Sequence, residues 1–195
     1  MITNTRKFGL CAAASIAALA GAANADDLLL IDLTVADQIT IIATDGLSAA
    51  TVSGPDGIGV YFADFYNGAG GALGASLVSG DITNAANPSD SSPSLFRGGA
   101  GSDTGLNMWS WATGGDVDFT AGAVAFTGSG TWDLDSDDYA DMLAGNKSGD
   151  LFFAADTFDD VAGATFIGTY RVIPSPAALS LIGLGLGMGA TRRRR

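Results

Sequence analysis

Asp133, Asp135 and Asp137 stand at alternate positions just after Trp132. Carboxylates on every second residue of a tight loop converge on one hard cation, so this spacing predicts a calcium loop. The EF-hand pattern itself is incomplete: its sixth position would be Asp138 in place of Gly, and its twelfth Ala144 in place of Glu. The other reading of the same residues is that they cap and solvate the start of a helix. Asp156, Asp159 and Asp160 form a second acidic group, suited either to complete a cation site or to a solvated turn. Trp109 and Trp111 lie two apart, so on a strand both would project from one face, where they could stack on a sugar ring or fill a core. Trp132, between Thr131 and Asp133, reads as the more exposed aromatic.

Catalytic patterns are sparse. Asp103-Thr104-Gly105 matches the aspartic protease tripeptide by letter, but it follows Gly99-Ala100-Gly101-Ser102 instead of an apolar strand and has no second copy, so a Gly-rich turn is the simpler reading. The chain contains no His, which rules out a His-dependent triad, and it has no GxSxG elbow. An Asp-based glycosidase needs only two carboxyls of unequal pKa, yet with 21 Asp the sequence nominates no pair. The expectation is a protein without catalysis and without a resident cofactor other than calcium.

Charge is distributed unevenly. Six of the nine basic residues lie near the two ends, leaving Arg97, Lys147 and Arg171 against 21 acids, all Asp, or a formal −18 for residues 26–171. Such a surface does not bind nucleic acid, which is held by Lys and Arg at phosphates, and it attracts divalent cations. Without His, and with Cys11 as its one cysteine, the chain also lacks good transition-metal ligands.

The ends read as addresses. Arg6 and Lys7 precede an apolar stretch from Phe8 to Ala20, and Ala23-Asn24-Ala25 places small residues at minus three and minus one of a cleavage site. Residues 1–25 are therefore a secretory signal peptide, and Cys11 sits too early in it for a lipoprotein. The remaining chain has no cysteine and no disulfide. At the other end Pro174-Ser175-Pro176 is followed by an apolar run from Ala177 to Ala190 and by Arg192, Arg193, Arg194 and Arg195. As a helix that run is roughly 21 Å long, short of a bilayer core unless it is counted back to Val172. The arginine block is a membrane stop that stays cytoplasmic, so the preceding chain lies outside.

A Pro-x-Pro, a short Ala/Leu/Gly helix and a terminal arginine cluster together resemble the PEP-CTERM sorting signal of bacteria that make exopolysaccharide. The resemblance covers Val172 to Arg195 and carries Ser175 where the family's namesake has Glu. It implies recognition by a membrane-embedded transpeptidase, an exosortase, which removes the tail and leaves the protein at the cell surface or in the extracellular matrix. The alternative is an uncleaved single-span anchor.

Between the two signals, residues 26–171 form one acidic ectodomain, with 172–195 as the sorting tail. Short β-branched and aromatic runs alternate with Gly, Asn, Asp and Ser clusters, the pattern of an antiparallel all-β sandwich or jelly roll. The strands are expected at Leu28 to Thr34, Gln38 to Thr44, Ala49 to Ser53, Ile58 to Tyr66, Ala75 to Val78, Leu106 to Trp111, Val117 to Phe119, Ala123 to Thr127, Leu151 to Ala154 and Thr165 to Ile173. Asn84 to Ser94 reads as a long loop, and Asp137 to Ala144 as one short helix capped by Ser136, with Tyr139, Met142 and Leu143 on its packed face. The leading function is a structural protein of the cell surface or matrix. Its rival is a calcium-assisted carbohydrate-binding module in contact with exopolysaccharide. Signal cleavage after Ala25 predicts that N-terminal sequencing of exported material begins at Asp26, and a start at Met1 would refute it.

Overall fold

The computed structural model describes residues 26–68, 70–88, 93–97, 103–110 and 115–173. The sorting motif Pro174, Ser175 and Pro176, the transmembrane run, Arg192 to Arg195, the cleavage residues Ala23 and Ala25, and Trp111 lie outside them. Among the described residues no helix is long and apolar enough to cross a membrane.

Thirteen strands carry the described chain: β1 (Asp27–Asp32), β2 (Gln38–Ala43), β3 (Val52–Pro55), β4 (Val60–Phe62), β5 (Ala75–Gly80), β6 (Thr83–Asn84), β7 (Ser94–Phe96), β8 (Leu106–Trp109), β9 (Asp116–Phe119), β10 (Phe126–Thr127), β11 (Ser129–Leu134), β12 (Ser148–Phe153) and β13 (Thr165–Ile173). A single α-helix, α1 (Ser136–Ala144), lies between β11 and β12. Nine strands form one sheet in the order β5-β11-β2-β1-β13-β12-β4-β8-β7, and the ribbons β6/β10 and β3/β9 stand apart from it. The sheet curls until its edge strands β5 and β7 approach each other, giving a nearly closed barrel in place of the expected two-sheet sandwich. Closure protects strand edges that would otherwise invite pairing with other chains.

The pairing is also not wholly antiparallel. β1 and β13 run parallel, with Asp27 opposite Thr169 and Asp32 opposite Ile173. A parallel pair needs a crossover, and here nearly the whole ectodomain supplies it. Asp26, the residue that signal cleavage would leave first, accepts from the Thr169 amide at 3.1 Å and from its hydroxyl at 3.0 Å. Arg171 Nε meets Asp27 Oδ2 at 2.7 Å beside it.

Inside the barrel, alternate residues pack one core: Leu29 and Ile31, Ile39 and Ile41, Trp132 and Leu134, Tyr170 and Val172, Leu151 and Phe153, Val60 and Phe62, Leu106 and Met108. The ribbons add Val117, Phe119 and Phe126, and the Phe119 ring meets those of Phe126 and Phe153 edge to face.

The largest departure from expectation is β11. The alternation Gly130, Trp132, Leu134 is the inward face of a strand that pairs with β2 on one side and β5 on the other. Trp132 is therefore 1% exposed, and its indole Nε1 donates to the Pro93 carbonyl at 3.0 Å. Because Pro93 leads into β7, this bond spans the seam where the barrel nearly closes. Strand β8 ends at Trp109, after which Ser110 takes a left-handed backbone (φ 59). Likewise Asp64 (φ 53) ends the run expected to reach Tyr66. Helix α1 begins at Ser136 with Asp135 as its N-cap, where no side-chain cap bond forms. Met142 is buried, the Tyr139 hydroxyl donates to the Leu33 carbonyl at 2.7 Å, and Leu143 points outward.

Trp132→Ala is expected to cost about 3–5 kcal/mol, as for other large-to-small changes of a buried aromatic. Val35→Ala, at an exposed position, should stay within about 0.5 kcal/mol. Urea unfolding followed by circular dichroism checks both, and near-equal losses would show that Trp132 does not fill the core.

Candidate functional site

The chemistry-bearing residues gather on the outside of the barrel, over β12, β4, β8 and β7. Inward positions of these strands are apolar, so the intervening residues face out: Phe152, Tyr61, Asn107 and Phe96 stand opposite one another in register across the four strands. Trp109 follows two residues after Asn107, on the same outward face. An outward face is normally wet, yet Tyr61 and Asn107 are 1% and 2% exposed. Two covering segments explain this. The turn after β3 brings the Ile58 carbonyl to Asn107 Nδ2 at 2.9 Å and the Asp56 carbonyl to the Ser110 amide at 3.3 Å. The segment after β12 ends in a 3-10 turn, Phe158–Asp160, whose first amide donates to Asp103 Oδ2 at 3.1 Å.

Between these covers lies a cleft of about 200 Å³ lined by Gly57, Phe96, Asn107, Trp109 and Asp156. It is smaller than the roughly 300–1,000 Å³ of pockets for drug-sized ligands. Trp109 and Phe96 supply apolar walls. The indole Nε1 of Trp109 and the amide Oδ1 of Asn107 are buried without hydrogen-bond partners, one a donor and the other an acceptor. At the rim, Asp156 and Asp160 share a hydrogen bond, and their affinities for the proton diverge. That bond holds the Asp156 carboxyl above the usual range, helped by partial burial and the charge of Asp160, while Asp160 is held below it by Asp156 and Thr157.

Asp103, the acid of the Asp-Thr-Gly tripeptide, sits beneath this cover as a structural clamp. Its Oδ1 accepts from the Tyr61 hydroxyl at 2.5 Å and from the Gly105 amide at 2.8 Å, and its Oδ2 takes the Phe158 amide. Burial, then the bond to Asp103, pushes the Tyr61 phenol well above its ordinary pKa. Gly105 has to be glycine here, since a Cβ would come within 1.9 Å of the Tyr61 ring.

The predicted calcium loop does not assemble. Period-two spacing is strand alternation at this point: Asp133 lies on the outer face of β11 and accepts from Gln38 Nε2 at 2.8 Å, whereas Asp135 and Asp137 follow the strand into the helix start. Among the described residues no three carboxylates are placed to share one ion. Trp132, expected as the exposed aromatic, is in the core, and Trp109 is the one of the two described tryptophans that lines a cleft.

Sequence reasoning missed Asn107, Phe96 and Arg97. Asn107 carried a signal, a polar residue alternating with apolar ones in Leu106-Asn107-Met108. Arg97 carried none. It is 1% exposed, stacks 3.6 Å from the centroid of the Tyr66 ring, pairs with Asp141 of α1 at 2.9 Å and donates to the Gly68 carbonyl at 2.8 Å, so it fastens the helix to β7 and the turn after β4.

Tyr61→Phe strips the buried Asp103 of its hydroxyl partner and is expected to cost about 1–3 kcal/mol. Thr104→Ala, whose hydroxyl bond to Asp64 is exposed, should cost less; chemical denaturation of both variants tests the ranking. Set against known proteins, the chain matches no family model, no curated protein and no solved structure.

Proposed function

We propose that this chain is an exported protein of the cell surface or extracellular matrix, processed by an exosortase-type transpeptidase at its C-terminal tail, and that its role there is structural and non-catalytic. The charge layout carries the reading: six of nine basic residues flank an ectodomain whose 21 acids are all Asp. The β1–β13 pair agrees with it. Cleavage after Ala25 and near Pro174 would leave β1 and β13 whole, with Val172 in the core and Ile173 opposite Asp32, so processing at those points spares the core. The use of both Asp103 oxygens in packing supports a structural duty for the one catalytic-looking tripeptide.

A second reading, carbohydrate binding, is favoured by one observation, the Trp109 cleft with its unpaired donor and acceptor. Asp133, Asp135 and Asp137, the residues nominated for calcium, sit elsewhere on the barrel, at the end of β11 and the start of α1.

Processing near Pro174 to Ala177 is expected, so surface material should have an intact mass that lacks Arg192 to Arg195. Surface protein that keeps these arginines would leave an uncleaved anchor as the correct description.

A further inference from the structure

We infer that the cleft beside Trp109 is a subsite for one neutral, hydroxyl-rich ring, such as a single sugar residue, bound without a metal ion. The inference deepens the carbohydrate-binding reading and rests on it.

Size and wall chemistry come first. About 200 Å³ accommodates one small ring rather than an extended chain, and two aromatic side chains, Trp109 and Phe96, offer the flat apolar contact that the C–H face of such a ring takes. Hydrogen-bonding demand then selects the polar group. Trp109 Nε1 can only donate and Asn107 Oδ1 can only accept, and both are buried and unpaired. An unpaired buried polar group costs about 1–3 kcal/mol, so a partner reaching it recovers that loss. Asn107 and Trp109 both line the cleft, so these two groups belong to the residues of its wall. A carboxylate offers only acceptors and leaves Asn107 unsatisfied. An ammonium offers only donors and leaves the indole unsatisfied. A hydroxyl does both.

Charge points the same way. Asp156 lines the cleft, Asp160 is hydrogen-bonded to it, and no Lys or Arg is among the lining residues. Acidic sugars are therefore repelled, while the Asp156 carboxyl remains available to a further hydroxyl at the rim.

The test uses the ¹⁵N-labelled full chain in a sugar-free detergent with a chelator present throughout, and reads the indole N–H resonances, assigned by Trp109→Phe and Trp132→Phe. Millimolar methyl glycosides of glucose, galactose and mannose are titrated in turn, beside glucuronate and glucosamine. The expected result is a saturable shift of the Trp109 resonance by at least one neutral glycoside, with the Trp132 resonance unmoved. Phe96→Ala, at an exposed position that spares the core, should weaken that binding at least threefold. Tighter binding of glucuronate or glucosamine overturns the assigned ligand class. No shift with any neutral glycoside overturns the subsite. Retention of the protein on the producing organism's polysaccharide then separates the two failures: a silent Trp109 with retention removes this cleft and keeps carbohydrate binding, whereas a silent Trp109 without retention removes both.

Discussion

The parallel pairing of β1 with β13 is the constraint on which the rest of the barrel depends. It joins the first and last described strands near the middle of the nine-stranded sheet, with β2, β11 and β5 on one side and β12, β4, β8 and β7 on the other. Neither half holds both of these strands until the chain is complete, so the sheet forms through contacts of very long sequence separation. Such topologies fold slowly, because loop-closure entropy precedes the pairing that offsets it. The sheet can be completed only once β13, at the C-terminal end of the described residues, is available to pair with β1.

With no cysteine in residues 26–171, stability must come from packing. The core meets this with inward aromatics at several levels: Phe62, Phe65 and Tyr170 in one group, Phe119, Phe126 and Phe153 in another. Trp132 adds the largest buried side chain and ties the seam through Pro93. Arg97 is the polar counterpart. A guanidinium removed from water requires compensation, which Asp141, the Gly68 carbonyl and the Tyr66 ring together provide.

A barrel whose interior is filled with side chains can hold a ligand only at its ends or outside. The cleft beside Trp109 lies on the outside. Two loops lie over an outward strand face, and where they do not fully meet, the cleft beside Trp109 opens. The clamp formed by Asp103, Tyr61 and the Phe158 amide holds one cover down, and the Asn107–Ile58 bond holds the other. The walls are thus set by buried hydrogen bonds, which makes the cleft preorganised even though it is built from loops.

Sequence alone determined the local features. The address expected at each end is read from composition and order, without reference to a fold. The Asp-only acidity, the absence of His and the strand-rich character follow from residue types, and β13 and α1 were placed closely because alternation, acidic first-turn residues and Gly145 are local signals. What only the tertiary structure decided is which face of an alternating segment is inside. Gly130 to Leu134 carries the same period as a calcium loop, and β11 became a central strand because β2 and β5 were available to flank it. Trp132, with Thr131 and Asp133 as neighbours, reads as the more exposed of the two, yet it fills the core and Trp109 lines a cleft. Barrel closure and the parallel β1–β13 pair were equally illegible: β5 and β7 meet across the intervening β6 and a loop, the β1–β13 partners lie more than a hundred positions apart, and no local pattern records who the distant neighbour will be.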